Sequence, residues 1–181
     1  MTDWSWVGWG LMAVLLFWSI GAYNRVMQLR NAIGTAYAQL DEALGQRATQ
    51  SARLIALARP VMLSEQATFD ALETAQAEAH AAAQAVRARP HAADPVATLA
   101  VAAAVHGAAL TRLMSLVEHH GELREQAEVD ALIDELKLIE RHRAFARQVF
   151  NQAVTAYNEA VQQFPTRVLC SFFGFTEARS L

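Results

Sequence analysis

Residues 4–23, WSWVGWGLMAVLLFWSIGAY, contain no charged side chain. At about 1.5 Å of rise per residue, this stretch forms a helix about 30 Å long, which matches the hydrocarbon thickness of a bilayer. A helix is also the only single segment that satisfies its own backbone hydrogen bonds in lipid. The stretch therefore predicts a transmembrane helix, and residues 1–23 form the predicted membrane anchor.

Aromatic residues stand at both ends of this stretch, as Trp and Tyr do at membrane–water interfaces. The predicted interface residues are Trp4, Trp6, Trp9, Tyr23 and Arg25. A cleaved signal peptide is the rival interpretation. It needs a basic N-terminal region, whereas residues 1–5 contain Asp3 and neither Lys nor Arg. The anchor interpretation is therefore preferred.

The basic side chains near the apolar stretch predict an orientation. Arg25, Arg30, Arg47 and Arg53 follow it, and no basic side chain precedes it. The positive-inside rule then predicts a single-pass protein of the bacterial inner (cytoplasmic) membrane, with its N-terminus outside and the rest of the chain in the cytoplasm. The single cysteine, Cys170, would be reduced there.

The composition argues against several classes of protein. A net charge of -3 argues against a nucleic-acid partner, which would require a basic surface. One cysteine excludes an internal disulfide framework and a multi-cysteine zinc site. The 181 residues allow one domain of ordinary size plus an anchor.

Apolar residues recur at spacings of three and four beyond the anchor, which is the pattern of packed helices and coiled coils. In the first helix these are Val26, Leu29, Ile33, Ala36, Leu40 and Ala43. In the last helix they are Val129, Leu132, Leu136, Ile139, Arg143, Ala146, Phe150, Ala153, Tyr157, Ala160 and Phe164. Pro165 should end that helix. Two alanine-rich helices, at about 53–88 and 95–119, lie between them, and Asp94 is the expected N-cap of the second.

These patterns predict an all-α protein in which the N-terminal transmembrane helix continues into an antiparallel up-and-down four-helix bundle. The bundle covers residues 24–165, and residues 166–181 form a C-terminal tail. The position of the first turn stays open. Either residues 48–52 form it, with Thr49 or Ser51 as a cap, or Arg59 and Pro60 do.

Several short motifs resemble those of the LemA family of bacterial membrane proteins. They are Tyr23-Asn24, Leu29-Arg30-Asn31, Ala36-Tyr37, Leu40-Asp41, Glu140, Ala146-Arg147, Phe150-Asn151, Ala153-Val154, Tyr157-Asn158, Phe164-Pro165 and Phe173-Gly174-Phe175. The resemblance implies a single span followed by a four-helix bundle, and it favours a first turn at residues 48–52. Residues 49–53, TQSAR, depart from the family's Asp-Leu-Ile-Pro-Asn pattern there. The resemblance implies no catalytic residue.

If the first and last helices run antiparallel, helix rise places two residues opposite each other when their numbers add to roughly 184. Polar motif residues of the two helices would then meet. Asp41 would then face Arg143 and Arg147. We hypothesise a polar layer that sets the register between the two helices. Its members would be Arg30, Asn31, Asp41, Arg147, Asn151 and Asn158. The alternative is that most of these residues are solvated surface residues.

The C-terminal tail carries three phenylalanines, Phe172, Phe173 and Phe175, close to the predicted membrane surface. They could enter the bilayer interface, with Arg167 at the headgroups. They could instead cap the end of the bundle core. The sequence leaves both alternatives open.

No residue pattern specifies a chemical reaction or a cofactor. None of the six histidines has Glu three residues before it, so the usual di-iron pattern of bundles is missing. His119 and His120 suit a solvated helix end better than a metal site, and His106 suits a core position. We expect a membrane-anchored scaffold or adaptor that is not an enzyme, and that binds a protein partner or itself. The alternative is a bundle that binds a cofactor or small molecule.

Overall fold

The chain is described by a computed structural model that covers residues 3–181, with side chains from residue 6 onward. Its helices are α1 (Asp3–Ala58), α2 (Gln66–Ala88), α3 (Ala93–His119), α4 (Gly121–Arg124), α5 (Ala127–Gln162) and α6 (Thr166–Phe173), with a 3-10 turn at Leu63–Glu65. The described residues contain no strand. The prediction of an all-α chain is confirmed.

Helix α1 runs for 56 residues without a break, which corresponds to about 84 Å. The apolar stretch and the helix that follows it are therefore one helix, since no proline or cap interrupts the sequence between them. Apolar side chains such as Trp6, Leu16 and Phe17 are exposed, whereas Val26 and Ile33 are completely buried. We call the part of the chain from Asn24 onward the helical body.

Among the described residues, two helices are apolar and long enough to cross a membrane. The most apolar window of the first, which lies near the N-terminus, has a mean hydropathy of 1.5 and no buried residue. The second is α3, whose window has the same mean hydropathy but is 33% buried. Its buried residues include Leu99, Leu110 and Leu113. α3 therefore has the character of a core helix.

The first turn lies at residues 59–62, so the expectation of a turn at residues 48–52 is wrong. Both candidate caps lie inside α1. The Thr49 hydroxyl donates to the Gly45 carbonyl at 3.1 Å, and the Ser51 hydroxyl donates to the Arg47 carbonyl at 2.7 Å. Bonds of this kind, to the fourth residue back, let a hydroxyl stay inside a helix. The helix ends instead just before Pro60, which lacks the N–H that a helix interior requires.

Helices α2 and α3 pack closely along each other. Small buried residues such as Ala75, Ala79 and Ala102 allow this close approach. α3 begins at Ala93, and Ala92 occupies the N-cap position without a side-chain hydrogen bond. The prediction that Asp94 caps α3 is therefore wrong. Asp94 lies in the first turn, where its charge still favours the positive end of the helix.

Helix α5 packs closely along α1. The contacts run in opposite sequence directions: Gln50 donates to Glu135 at 2.7 Å, and Arg47 donates to Glu140 at 3.1 Å. The predicted apolar positions of α5 are buried from Val129 to Ala160, except that Arg143 and Ala153 are half-buried. The last predicted position, Phe164, is 80% exposed because the helix ends at Gln162.

The core has two parts. The proximal core, next to the apolar end of α1, includes Ile33, Leu40, Leu99, Phe150 and Tyr157. The distal core includes Leu54, Leu72, Leu113, Leu123 and Leu136. Polar residues of α1, α3 and α5 lie between these two parts, and they form the candidate site.

Candidate functional site

A charged layer separates the proximal core from the distal core. Arg47 lies one helical turn after Leu44 of the proximal core, and Glu140 lies one helical turn after Leu136 of the distal core. His106 of α3 lies near Arg47, and the two side chains line the same small cavity. We call Arg47, His106, Glu140 and Arg143 the arginine layer. Three separate helices therefore place polar side chains at one level of the core.

Arg47 is completely buried, although Arg is among the residue types that are least often buried. Its Nη1 donates to Oε1 of Glu140 at 3.1 Å, and its Nη2 donates to the carbonyl of Ala103 at 3.3 Å. The other carboxylate oxygen of Glu140 accepts from Nε of Arg143 at 2.9 Å. Gly107 lies against the guanidinium, and a Cβ added there would be 3.4 Å from Nη1.

Burial and charge shift the protonation equilibria of this layer. Burial, together with the neighbouring Arg47 charge, lowers the pKa of His106 to about 4. Its Nε2 has no hydrogen-bond partner among the described residues. Burial acts to raise the pKa of Glu140, but the Arg47 and Arg143 charges outweigh it and hold that pKa below its usual value. At neutral pH the layer holds two positive charges and one negative charge.

A groove of about 320 Å³ opens beside this layer, between α3 and α5. These two helices are not a closely packed pair. The groove is lined by Leu40, Leu44, Leu99, Ala100, Ala103, Ala104, Gly107, Thr111, Glu140, Arg143, Arg147 and Leu181. One wall is thus small and apolar, and the other carries two arginines and one carboxylate. Such a surface suits a partner that presents small apolar residues and a negative charge.

The predicted polar layer between α1 and α5 does not form as a unit. Asp41 pairs with Arg87 of α2 and does not pair with Arg143 or Arg147; the Arg87 Nε donates to Oδ2 of Asp41 at 3.0 Å. The prediction that Asp41 faces Arg143 and Arg147 is therefore wrong, because its side chain leaves α1 toward α2. Arg147 is exposed on the rim of the groove.

Two other members of that predicted layer also lie elsewhere. The Arg30 guanidinium contacts the ring of His91, with Nη2 2.6 Å from Nε2, and lies 5.9 Å from the centre of the Phe175 ring. Asn31 is exposed, and its carbonyl accepts the Thr35 hydroxyl. Neither side chain bonds to α5.

Asn151 and Asn158 bind the tail instead of α1. Each amide side chain makes two hydrogen bonds to the backbone of one tail residue. Asn158 Nδ2 donates to the Ala178 carbonyl and its Oδ1 accepts the Ala178 N–H, both at 2.8 Å. Asn151 makes the same pair of bonds with Leu181, also at 2.8 Å. Their spacing of seven places both amides on one face of α5.

The tail reverses direction after α6 and returns along α5. Gly174, with φ of 70°, ends the helix in the left-handed conformation that glycine adopts without strain. The chain then places Ala178 in the proximal core, and the Tyr157 hydroxyl donates to the Thr176 carbonyl at 3.0 Å. Residues 175–181 therefore cap the helical body. Of the three phenylalanines that one alternative assigned to this role, only Phe175 packs against the core, whereas Phe172 and Phe173 are exposed.

The predicted interface residues lie along the exposed end of α1. Trp6 and Trp9 are exposed, and the side chain of Trp4 lies outside the described residues. Tyr23 contacts the tail, with its ring centre 5.1 Å from that of Phe173. Arg25 is exposed and directly precedes Val26, the first buried core residue.

The sequence matches the LemA family over residues 36–181, which is most of the chain. The chain belongs to the LemA family. The matched range contains the arginine layer, the groove and the two asparagines that bind the tail, but residues 23–33 lie outside it. No curated protein sequence matches this LemA chain.

Sequence reasoning missed Arg47, the central residue of the site. A signal was present, because the spacing of three and four that links Leu40 and Leu44 continues through Arg47 to Ser51 and Leu54. All five of these positions are buried in the LemA chain. The described residues contain no group of three or more His, Cys, Asp or Glu side chains that could hold a metal ion.

Proposed function

We propose that this LemA protein is a membrane-anchored scaffold. Residues 4–23 cross the bacterial inner membrane once, with the N-terminus outside. The four long helices α1, α2, α3 and α5 act as an antiparallel up-and-down bundle in the cytoplasm. The bundle has no enzymatic activity, and it presents a groove to a protein partner.

The single observation that carries this proposal is the change of environment along α1. One helix has large apolar side chains exposed over its first turns, up to 80% for Trp6, and a fully buried face from Val26 onward. Exposed apolar surface of this size is unfavourable in water and favourable in lipid. The length of the exposed part also fits the bilayer thickness.

Membrane anchoring and orientation are tested on the full-length protein expressed in bacteria. We expect alkaline carbonate to leave it in the membrane fraction. In a Cys170→Ser background, a membrane-impermeant maleimide should label Thr2→Cys in intact cells and Leu63→Cys only after lysis. Release by carbonate would reject the anchor, and the reverse labelling pattern would reject the orientation.

The groove supports the scaffold role through its shape and charge. Ala104 and Gly107 give it a small-residue wall that another segment can approach closely, and Arg143 and Arg147 give it positive charge. We therefore propose a partner segment with small apolar residues and at least one carboxylate. A like-charge substitution should reject such a partner, because unfavourable charge contacts strongly affect specificity.

A photo-crosslinking amino acid at Ala104 tests this site in the native host. We expect one partner to be captured there, and none at the exposed α2 position Glu78. Arg147→Glu should abolish capture, whereas Arg141→Glu, an equally exposed substitution on another face of α5, should not. Equal capture in both charge variants would contradict the groove as the partner site.

The 320 Å³ volume favours a second candidate function, because it falls within the range of small-ligand pockets. The ligand would be a small anion or cofactor with an apolar part that fits the alanine wall. Mass spectrometry of the protein purified from native membranes tests this. A small molecule that is retained by the natural protein and lost in Arg147→Glu would favour this candidate over the scaffold.

A further inference from the structure

Apolar side chains of the tail are exposed on and just before α6. Phe172 is 84% exposed, and Phe173 and Val168 are also exposed. Phe164, which precedes the helix, is 80% exposed. Cys170 of the same helix is 2% exposed and belongs to the proximal core. One side of α6 thus packs against the helical body, and the other, phenylalanine-rich side is exposed.

This phenylalanine-rich side lies beside the end of the proposed membrane span. The Tyr23 ring centre lies 5.1 Å from that of Phe173 and 5.8 Å from that of Phe175. Tyr23 is the last residue of the uncharged stretch, and α1 and α6 pack against each other. The exposed face of α6 is therefore continuous with the exposed apolar surface of α1.

We propose that α6 is a second membrane contact, which inserts Phe172, Phe173 and Phe164 into the headgroup boundary of the leaflet from which the helical body emerges. The inference rests on the proposed span. An interfacial helix buries its apolar side chains about 5–10 Å into that boundary. Residues 175–181 cap the core, whereas α6 is the part of the tail that we propose contacts the membrane.

Charge at this level is consistent with a lipid surface as the occupant. Arg25 on α1 and Arg167 on α6 are both exposed. Arginine at this depth can pair with phosphate groups of lipid headgroups while its stem stays in the apolar boundary. Two attachment points, the span and α6, would hold the helical body at a set angle to the bilayer, whereas a single helix leaves that angle free.

The test is a fluorescence depth measurement on the full-length protein in phospholipid vesicles. Trp4, Trp6, Trp9 and Trp18 are replaced by Phe, and Phe172→Trp supplies the single indole, which we call the tail reporter. Lipids brominated near the headgroup end of the acyl chain report burial in the bilayer, and aqueous iodide reports exposure to water. A variant that keeps only Trp18 reports on the span.

The matched control is Leu63→Trp in the same tryptophan-free background, which we call the distal reporter. Leu63 is an exposed apolar residue, at 74%, and lies at the opposite end of α1, about 50 Å from Tyr23 by helix rise. We expect brominated lipid to quench the tail reporter at least half as much as Trp18, and to leave the distal reporter unquenched. Iodide should quench the distal reporter several-fold more than the tail reporter.

The outcomes separate this inference from the proposed anchor. If Trp18 is quenched by lipid while the tail reporter behaves like the distal reporter, α6 is not a membrane contact and the anchor stands. If neither Trp18 nor the tail reporter is quenched by lipid, both proposals fail. Lipid quenching of the tail reporter that disappears when α6 is disrupted by Val168→Pro would confirm that the helix itself places the ring in lipid.

Discussion

The guanidinium of Arg47 lies 3.1 Å from the carboxylate of Glu140, at the level where the proximal core of this LemA protein gives way to the distal core. Arg47 is completely removed from solvent, while Glu140 is about one-third exposed. A buried charge is costly unless it is paired and hydrogen-bonded. The pair therefore joins α1 to α5 at one register, and a shifted register would leave Arg47 unpaired.

Removing the Glu140 carboxylate should lower the free energy of unfolding more than removing the Arg47 charge. Glu140→Gln leaves the buried Arg47 charge without its carboxylate. Because Glu140 is about one-third exposed, we expect a loss of about 3 kcal/mol in the free energy of unfolding, at the lower end of the range for buried pairs. Arg47→Met replaces the buried charge with an apolar side chain of similar length, and Glu140 keeps Arg143 as a partner. Its expected cost is within about 1 kcal/mol. Denaturant titration of the protein in detergent measures both changes.

The double variant is the control for this prediction. In the Arg47→Met background, Glu140→Gln should cost at least about 2 kcal/mol less than it does alone, because no buried charge is left unpaired. Equal costs in the two backgrounds would mean that the pair contributes nothing to stability or register.

His106 should make stability depend on pH in the mildly acidic range. The unfolded chain binds a proton on this residue near pH 6.5, but the folded protein binds it only near the lowered pKa of about 4. Acidification therefore favours the unfolded state. Between pH 7 and pH 5, we expect a loss of about 2 kcal/mol from this group by proton linkage.

His106→Asn removes the titrating group and should remove this part of the pH dependence. Chemical unfolding at pH 7, 6 and 5 compares the two proteins, and the range stays above the usual pKa of carboxyl groups. His142→Asn, which changes an exposed histidine, is the control and should keep the dependence of the natural protein. Identical pH profiles for the natural protein and His106→Asn would show that His106 does not titrate in this way.

The two asparagines of α5 should determine whether residues 175–181 stay bound. Asn158→Asp keeps the shape of the side chain but cannot donate to the Ala178 carbonyl. We expect the Ala178 amide to exchange with deuterium at least tenfold faster in this variant. Asn151→Asp should do the same for Leu181. Gln152→Glu, an exposed change on the same helix, should alter neither rate, and unchanged exchange in the asparagine variants would contradict the clamp.

Asp41 should couple energetically to Arg87 and not to Arg147. The Asp41–Arg87 pair is partly exposed, so a double-mutant cycle to alanine should give a coupling of about 0.5–1 kcal/mol. The equivalent cycle between Asp41 and Arg147 should give no coupling. A measurable coupling to Arg147 would restore the Asp41 pairing that the sequence pattern predicted.

The sequence pattern predicted the helices of this chain better than it predicted which side chains pair between them. Spacings of three and four identified the buried faces of α1 and α5, and continuing the α1 spacing reaches Arg47. The register predicted from helix rise places Arg47 within one turn of Glu140, but it does not show which side chains form a pair. Thr49 and Ser51 suit a helix cap and an internal back-bond equally well, so the local sequence could not locate the first turn.

The partners of Asn151 and Asn158 could not be predicted from the sequence for a different reason. Both residues lie on one face of α5, as their spacing indicates, and the antiparallel register predicts α1 as their partner. Their real partners are backbone groups of Ala178 and Leu181. Every residue offers such groups, so the sequence carries no sign of which ones are used. The wrong pairing of Asp41 has another origin, since α2 competes with α5 for its side chain and Arg87 of α2 is the partner.

The central claim, that α1 passes from lipid into the helical body without a break, is tested most directly by a spin-label scan of residues 8–30 in lipid nanodiscs. Accessibility to oxygen and to a water-soluble nickel chelate is measured at each position in a Cys170→Ser background. We predict that every label from about residue 8 to residue 20 is accessible to oxygen and protected from nickel, with the greatest depth near residues 13–14. Beyond Tyr23 the signal should follow the helical period of the buried face. Nickel accessibility at every position throughout residues 8–20 would contradict the claim, because it would show that this part of α1 lies in water.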